Sequence, residues 1–408
     1  MRGVGVRSYR AIIASVTICG VAIAVIVSGA ARVSESTAVG ESEIRAALLA
    51  SVKFAPAPGA TVVAPNAPIV VKAGRGRLVA VRVTSQGRAV VRGTLAPAAH
   101  EWRSRGPLAY GTTYKVTATV SGASRVRAES AMTFRTLTPA TAVSASVFPW
   151  EGLTVGIGQP IVFTLSRPIV TDAARARLLS HVLVGESKPV AGGWHWFSDH
   201  ELHFRPRTFW PVGEHVTIAW DLTGWNPSVG VWGTSVGTTG FTVGDAHVSY
   251  ADLSTDQMFV TDNGRAIATY PISGGKPTDP TMGGVHLVMD KSSVVHMVSS
   301  TNGIPVSSPD GYDELVYDDV HISDSGEYVH AAPWSVSSQG RTNVSHGCVN
   351  LSPADAAAFF AFSRVGDIVV VTGSPRPPEL GDHGVMDWST SWPVFTPAAR
   401  PGSSAASG

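Results

Sequence analysis

Cysteine is scarce in this sequence. Only Cys19 and Cys348 occur among 408 residues, which excludes a disulfide-rich scaffold. Cys19 lies within an apolar N-terminal stretch, so Cys348 has no intrachain partner if the chain is exported. An unpaired thiol in an oxidising compartment indicates a reactive group, and the alternative is an intermolecular disulfide.

Excess charge of either sign is also lacking. Lysine and arginine total 31 and the acidic residues 30, which gives a net charge of +1, and charged residues are only 15% of the chain. This balance provides no basic surface for a polyanion, so we expect no nucleic-acid partner. The 44% of hydrophobic residues exclude a largely disordered chain, and the length predicts two or three domains.

Spacings typical of metal sites are missing as well. The sequence contains no C-x-x-C and no H-E-x-x-H motif. Histidines are nevertheless concentrated near Cys348, which keeps zinc as an alternative; they are His286, His296, His321, His330 and His346. We predict neither a metal nor a cofactor.

The N-terminus carries an export signal. Arg2, Arg7 and Arg10 precede an uncharged apolar run over residues 11–31. That run is longer than a usual signal-peptide core and approaches the length that spans a bilayer, so residues 1–31 are predicted to be an uncleaved membrane anchor. The alternative is a signal cleaved near Ala31. Either outcome places the rest of the chain on the extracytoplasmic face of the cell envelope.

The remainder divides into segments of different character. Residues 32–50 are predicted to be a tether whose short helical patch packs on nothing. Residues 51–139 and 140–246 contain short alternating runs separated by Gly, Pro, Ser and Asn, which predicts two tandem antiparallel β-sandwiches. Residues 247–373 form a third, chemically richer domain, and residues 374–408 form a Pro/Gly/Ser-rich tail whose Trp388 and Trp392 dock back onto that domain.

The third domain has a recognisable order of elements. Two strand-like runs flank Asp262-Asn263-Gly264-Arg265, a hairpin signal. Further strands are predicted at residues 285–290, 293–298 and 326–330. Ser352-Pro353-Ala354-Asp355 is typical of a capped helix start, and the helix is expected to continue to about Arg364 before a closing strand at 367–371.

The residues with the clearest chemistry precede that helix. Ser345-His346-Gly347-Cys348 places a thiol just before the predicted helix start, where the helix dipole lowers a thiol pKa and favours thiolate. Gly347 lets a substrate carbonyl approach closely while backbone N–H groups form an oxyanion hole. His330 is the better candidate for the base, because His346 is only two residues from Cys348 and its side chain need not reach the sulfur.

This pattern resembles the L,D-transpeptidase catalytic domain. That family's signature is a histidine, 14 to 17 residues, Ser/Thr-His-Gly-Cys, an apolar residue and Asn; here His330 is followed by 14 residues, then Ser345-His346-Gly347-Cys348-Val349-Asn350. The resemblance extends over about 247–372, including the glycine-rich turns at 271–275 and 280–284. Two preceding immunoglobulin-like domains, an anchor and a Trp-bearing tail resemble the membrane-anchored branch of the family, so a mainly β protein is expected.

The resemblance assigns roles to individual positions. It implies that Cys348 is the nucleophile, that His330 is the general base and acid, and that the backbone carbonyl of Ala331, where relatives often carry Ser, orients the imidazole. His346 and Gly347 complete the motif and are counted among the implied catalytic residues. The implied substrate contacts are Tyr312, Ser325, Gly326 and Asn350, with Met297, Trp334 and Ser345 lining the pocket.

The same resemblance implies the substrates. The donor would be a peptidoglycan tetrapeptide stem that Cys348 holds as a thioester after D-Ala leaves. A diaminopimelate amine of a second stem would then attack to form a 3→3 cross-link, and carbapenems would acylate the same sulfur. The alternatives are a cysteine hydrolase or carboxypeptidase of the same fold, and a wall-binding protein without catalysis.

An acidic run follows in the third domain. Its members are Asp310, Asp313, Glu314, Asp318, Asp319, Asp324 and Glu327. Such a run is most often a solvated face or a mobile flap, and the alternative hypothesis is that part of it attracts the ammonium group of the acceptor stem.

Overall fold

The computed structural model describes residues 40–122 and 125–396. The predicted anchor, the start of the tether and the end of the tail lie outside these residues. Within them, no helix combines the length and apolar character that a bilayer crossing requires. The chain divides into two compact units, Met1–Thr138 and Pro139–Gly408.

The first unit contains a β-sandwich of two four-stranded sheets, ordered β1-β2-β6-β5 and β4-β3-β7-β8. The strands are β1 Val52–Ala55, β2 Val70–Ala73, β3 Arg77–Ser85, β4 Arg88–Ala89, β5 Gly93–Leu95, β6 Glu101–Ser104, β7 Thr113–Ser121 and β8 Arg127–Arg135. Side chains that alternate between the two faces of a strand explain why the sheets pack face to face. In β7 every second residue is buried, namely Tyr114, Val116, Ala118 and Val120, while the residues between them are not.

Helix α1, over residues 40–50, precedes this sandwich. The predicted helical patch is therefore present, but the expectation that it packs on nothing is wrong. Leu48 is 3% exposed, and its methyl groups lie against the backbone positions of Gly76 and Gly122. Ile44, one turn earlier, also lies near Gly122, so the helix packs on the sandwich through one apolar face.

The second unit begins with another sandwich. Its sheets are ordered β10-β12-β15-β14 and β11-β18-β16-β13, with a small parallel pair of β9 and β17. The elements are β9 Thr141–Val143, β10 Ala145–Phe148, β11 Thr154–Val155, β12 Ile161–Leu165, α2 Asp172–Leu179, β13 Val182–Glu186, β14 Gly192–Trp196, β15 Glu201–Pro206, β16 His215–Asp221, β17 Val231–Gly233 and β18 Val236–Val243.

The third domain contains a five-stranded sheet, β21-β20-β19-β27-β22, and a four-stranded sheet, β23-β24-β25-β26. The strands are β19 His247–Asp252, β20 Gln257–Asp262, β21 Arg265–Pro271, β22 Gly284–Leu287, β23 Asp290–Val298, β24 Asp313–Ser323, β25 Glu327–Ala331, β26 Val349–Leu351 and β27 Ile368–Thr372. The helices are α3 Pro353–Phe362, α4 Met386–Ser389 and α5 Trp392–Phe395, with short 3₁₀ turns at Ser299–Asn302 and Pro333–Ser335.

The predicted hairpin and capped helix are confirmed. Asn263 and Gly264 have φ values of 50° and 78°, the two positive angles that a type I′ turn between β20 and β21 requires. The Ser352 hydroxyl accepts a hydrogen bond from the Asp355 N–H at 3.2 Å, and Pro353 occupies the first turn. Phe359 of α3 is 1% exposed and belongs to the core that the two sheets share.

The second sandwich and the third domain pack closely. Leu287 and Ile368 of the third domain belong to the apolar core of the sandwich. A side chain at Gly156 or Gly158 would collide with Asp367 and Ile368, at 2.2 Å in both cases. Strands β1–β8, β9–β18 and β19–β27 fall within the three predicted ranges, and the domain boundaries themselves stay predictions.

The tail docks at a different place from the one expected. The Trp388 indole donates a hydrogen bond to the Gly158 carbonyl at 2.8 Å, and the Arg205 guanidinium lies over Trp388 and Trp392. Although α4 also contacts β22, both tryptophans pack on the second sandwich. The expectation that they dock on the third domain was wrong, because the partner surface comes from residues distant in the sequence.

Candidate active site

Two parallel strands bring the candidate nucleophile and base together. Strand β25 contains His330, and β26 starts directly after Cys348. Their register pairs His330 with Asn350, so Cys348 lies two positions back along the neighbouring strand. Because side chains alternate along strands, His330, Cys348 and Asn350 project from the same face of the sheet.

That face opens into a cavity of about 440 Å³. Ten of the predicted site residues line it; they are Met297, Tyr312, Ser325, Gly326, His330, Trp334, Ser345, His346, Cys348 and Asn350. Ala331 and Gly347 do not line it and act on the site through their backbones. A cavity of this size accommodates a short peptide segment.

The imidazole of His330 has a defined orientation. Its Nδ1 lies 3.1 Å from the carbonyl oxygen of Ala331. A carbonyl can only accept, so Nδ1 carries the proton and Nε2 keeps a free lone pair. Burial lowers the pKa of His330 to about 4, which keeps the ring neutral at physiological pH and able to accept a proton.

The Cys348 thiol lies against the turn between β24 and β25. Its Sγ donates to the carbonyl oxygen of Gly326 at 3.8 Å. Burial, aided by the charges of Glu327 and Asp319, raises the pKa of Cys348 to about 12. The free site therefore contains a neutral thiol beside a neutral imidazole.

This state contradicts the thiolate expected from the sequence. Strand β26 separates Cys348 from α3, which begins only at Pro353, so the thiol does not lie at the helix N-terminus. The dipole effect acts within about the first turn of a helix, whereas burial acts directly on the sulfur. The expected lowering of the thiol pKa by the helix was wrong.

Residues 345–348 form a tight support for the sulfur. The Ser345 hydroxyl donates to the Cys348 carbonyl at 2.6 Å and accepts from the Gly347 N–H at 3.1 Å. Gly347 has φ 130°, and a Cβ there would lie 3.4 Å from the Glu327 carboxylate. Glycine is therefore favoured by the backbone conformation, whereas a Cβ would make only an ordinary contact with Glu327. The Gly347 N–H is already bonded to Ser345 in this structure.

Asn350 is buried beside the base. Its amide donates to the Ser335 hydroxyl at 3.0 Å, and its backbone bonds Ser273 in both directions. The glycine-rich turn that contains Ser273 is thereby fixed against β26. This contact explains why residues 271–275, remote in sequence, belong to the same site.

The opposite wall of the cavity comes from the segment before β24. The ring of Tyr312 lies 5.3 Å from the ring of His346. The Lys276 ammonium donates to His346 Nε2 at 3.0 Å and to Asp310 at 2.7 Å. His346 is therefore engaged by Lys276, which leaves His330 as the candidate base.

Comparison with known proteins agrees with this geometry. Residues 246–371 match the family model described as L,D-transpeptidase catalytic domain, and residues 60–226 match a bacterial Ig domain. L,D-transpeptidase 2 of Mycobacterium tuberculosis is 34% identical over 82% of this chain and 81% of its own length. This chain belongs to the L,D-transpeptidase family.

Further relatives agree. L,D-transpeptidase 5 of Mycobacterium tuberculosis is 30% identical over 85% of this chain and 78% of its own length. A solved L,D-transpeptidase in complex with imipenem is 37% identical, and the match covers 57% of this chain and 100% of that one with a TM-score of 0.50. The expected fold is confirmed: a mainly β protein with immunoglobulin-like domains ahead of an L,D-transpeptidase catalytic domain.

Sequence reasoning missed two charged residues of this L,D-transpeptidase site. Glu327 and Arg376 both line the cavity, and their side chains form an ion pair at 2.8 Å. Burial raises the pKa of Glu327 to about 7. Arg376 lies in the predicted tail, and no local motif relates it to Cys348; Glu327 was noticed only as one member of the acidic run.

The acidic run does not act as one surface. Only Asp310, Glu314 and Glu327 line the cavity. Asp313 pairs with His296 and Asp324 with His383. Asp319 is fully buried, which removes it from contact with an acceptor ammonium group.

The fold divides the clustered histidines: His296, His330 and His346 line the cavity, whereas His286 and His321 do not. His286 is buried between the carbonyls of Ile322 and Met282, and His321 bonds Asp290. Within residues 40–122 and 125–396, the group with metal-like spacing is instead Asp245, His247 and Asp262. His247 in that group is already bonded to Asp367 at 3.0 Å.

Proposed function

We propose that this L,D-transpeptidase cross-links peptidoglycan stems through a thioester on Cys348. The observation that carries the proposal is the adjacency of β25 and β26, which places a thiol and a correctly oriented neutral imidazole in one cavity. A buried neutral pair suits attack that is coupled to proton transfer, because neither partner has to be charged beforehand.

The acylation half-reaction follows from this arrangement. Cys348 Sγ attacks the carbonyl of the third stem residue, a diaminopimelate, while the thiol proton moves to His330 Nε2. His330 then gives that proton to the departing D-Ala amine, and the peptide C–N bond breaks. The Ala331 carbonyl stabilises the imidazolium that exists between these two transfers.

The second half-reaction forms the cross-link. The side-chain amine of a diaminopimelate in another stem attacks the thioester and transfers a proton to His330. The C–S bond breaks, and His330 returns the proton to the sulfur, which gives a 3→3 link without ATP, metal or cofactor. We assign substrate contacts to Tyr312, Ser325, Gly326, Asn350, Met297, Trp334 and Ser345, and structural support to His346 and Gly347.

We also propose that carbapenems acylate Cys348, because a solved relative was obtained in complex with imipenem. A strained lactam carbonyl in the cavity would meet the same sulfur and base as the stem carbonyl. The site would act on the extracytoplasmic face of the cell envelope, where peptidoglycan lies, with residues 1–31 as the membrane anchor.

Intact-mass measurement after incubation with imipenem tests the nucleophile. Wild-type protein is expected to gain one adduct, and Cys348→Ala none. His330→Gln keeps the sulfur but loses the base, so its adduct is expected to form at least about a hundredfold more slowly. An adduct on Cys348→Ala would contradict the assignment.

Turnover of disaccharide tetrapeptides separates cross-linking from hydrolysis. A transpeptidase yields a cross-linked dimer and free D-Ala, whereas a carboxypeptidase yields a tripeptide stem and D-Ala because water captures the thioester. Tripeptide as the sole product in the presence of excess acceptor would favour the carboxypeptidase.

A further inference from the structure

The tail supplies a carboxylate that organises the active-site turn. Asp382 is 5% exposed and accepts four hydrogen bonds, from the Ser323 hydroxyl at 2.7 Å, the N–H groups of Asp324 and Ser325 at 3.0 Å each, and the Gly384 N–H at 2.8 Å. Three of the four donors belong to the turn between β24 and β25. The turn is therefore built around a side chain that lies nearly sixty residues away in sequence.

The same turn faces the sulfur. Its last residue, Gly326, provides the carbonyl that accepts the Cys348 thiol, and Ser325 lines the cavity. Gly326 has φ 87°, so the turn holds a conformation that other residues rarely adopt. A displacement of this turn would move both the acceptor of the thiol and one wall of the cavity.

The next tail residue connects the turn to the second sandwich. His383 contacts Asp324 of the turn through Nδ1 and Glu201 of strand β15 through Nε2, the latter at 2.9 Å. Glu201 also accepts from His203 at 3.0 Å, and His203 bonds Asp387 at 2.8 Å. A chain of alternating acids and imidazoles thus joins the sandwich, the tail and the turn.

The imidazoles in this chain are charged at neutral pH. Glu201 and Asp324 raise the pKa of His383 to about 9. Burial alone would lower the pKa of His203, but Asp387 and Glu201 raise it to about 9. Charged partners in a partly dry interface make stronger and better oriented hydrogen bonds than neutral ones.

We propose that Asp382 and His383 are positioning residues for the acylation of Cys348, through which the second sandwich holds the Ser323–Gly326 turn against the thiol. The inference rests on the proposed role of Cys348. It makes the sandwich a working part of the active site, although the sandwich contributes no residue to the cavity wall.

The test compares acylation rates in the full chain. Asp382→Asn keeps the shape of the side chain but replaces one acceptor with a donor facing the turn, and is expected to slow imipenem acylation about tenfold or more. Glu201→Gln removes a charge in another domain and is expected to slow it about threefold. Asp199→Asn, which breaks the Arg175 ion pair on the same sandwich, is the matched control and is expected to acylate at the wild-type rate.

A second readout separates positioning from stability. The rate measured at saturating imipenem is expected to fall while the concentration for half-saturation changes little, and amide hydrogen exchange in residues 323–330 is expected to rise in Asp382→Asn and Glu201→Gln but not in Asp199→Asn. If these residues only stabilised the fold, the substitutions would lower the unfolding temperature. The acylation rate and the hydrogen exchange of residues 323–330 would then stay unchanged at temperatures well below unfolding.

Wild-type acylation rates in both Asp382→Asn and Glu201→Gln would overturn the proposal. If Asp382→Asn fails to fold, Glu201→Gln decides alone. A separate result would show that the proposed role of Cys348 is wrong, namely an imipenem adduct on Cys348→Ala. That result differs from wild-type acylation rates in Asp382→Asn and Glu201→Gln, so the two failures can be distinguished.

Discussion

The protonation state of each titratable side chain near the sulfur depends more on its surroundings than on its residue type. His330 is neutral because burial lowers its pKa by more than the hydrogen bond to the Ala331 carbonyl raises it. Cys348 is neutral because burial and two nearby acids oppose the thiolate. Two neutral groups fit the proposed mechanism, in which the proton moves during attack, and differ from a preformed thiolate–imidazolium pair.

Glu327 controls the acidity of the thiol in one pH range. Below pH about 7 it is protonated, and Glu327→Gln is expected to match wild type in alkylation by iodoacetamide. Above pH 7 the carboxylate charge raises the pKa of Cys348 in wild type only, so the variant has more thiolate and is expected to react faster, by up to about tenfold for one unit of pKa.

Alkylation rates between pH 6 and 10 check this prediction. Glu314→Gln is the control, because Glu314 also lines the cavity but is exposed, where solvent and salt screen its charge. Equal rates for wild type and Glu327→Gln across the whole range would show that the carboxylate does not act on the sulfur.

At the scale of elements, the parallel pair of β25 and β26 decides the site. Parallel neighbours cannot be joined by a tight turn, so eighteen positions of chain separate His330 from Cys348 even though the two residues end on the same face. Helix α3 follows β26 and packs against β24, β25 and β26. Its start therefore fixes the end of the strand that follows Cys348.

The Ser352 cap stabilises that helix. Ser352→Ala removes the acceptor for the Asp355 N–H and is expected to lower the free energy of unfolding by about 1 kcal/mol. Ser391→Ala is the matched control, because Ser391 is the N-cap of α5 but its side chain makes no capping hydrogen bond. Urea unfolding measures the free energy of unfolding of both variants, provided that its dependence on urea concentration has the same slope in each. Equal losses of stability in Ser352→Ala and Ser391→Ala would contradict the assignment.

At the scale of the whole molecule, the described part of the tail, residues 374–396, acts as a clamp: it packs against both the second sandwich and the third domain. The Arg205 guanidinium of the second sandwich lies 4.5 Å from the Trp388 ring and 4.2 Å from the Phe395 ring, and it donates to the Thr390 carbonyl at 2.9 Å. Phe395 is fully buried. Through these contacts the sandwich holds the segment that also contains Arg376, which lines the cavity, and Asp382, which bonds the turn between β24 and β25.

Loss of this clamp should be measurable. Trp388→Ala removes the ring over Arg205 and the hydrogen bond to Gly158, and is expected to destabilise the second unit by about 3 kcal/mol and to expose residues 374–396 to protease. Trp150→Ala, at a tryptophan that is 66% exposed, is expected to change stability by less than about 0.5 kcal/mol. Resistance of the tail to protease in Trp388→Ala would count against the clamp.

Local rules were sufficient for much of the architecture. Alternation predicted the sandwich strands, Asn263-Gly264 the hairpin, and Ser352-Pro353 the start of α3, because each depends on neighbours in sequence. The motif that spans His330 and Cys348 predicted the family, and the family resemblance supplied ten of the residues that line the cavity. These features follow from backbone preferences and side-chain period, which the sequence determines by itself.

Only the tertiary structure decided the rest. Burial reversed the expected pKa shift of Cys348, the fold delivered Arg376 and Asp382 from a segment predicted to be a tail, and it turned His346 toward Lys276. Each of these outcomes depends on which distant residues come into contact and on how much water they exclude. A local sequence pattern determines neither the long-range contacts nor the exclusion of water, because pKa values and hydrogen-bond partners are properties of the packed environment.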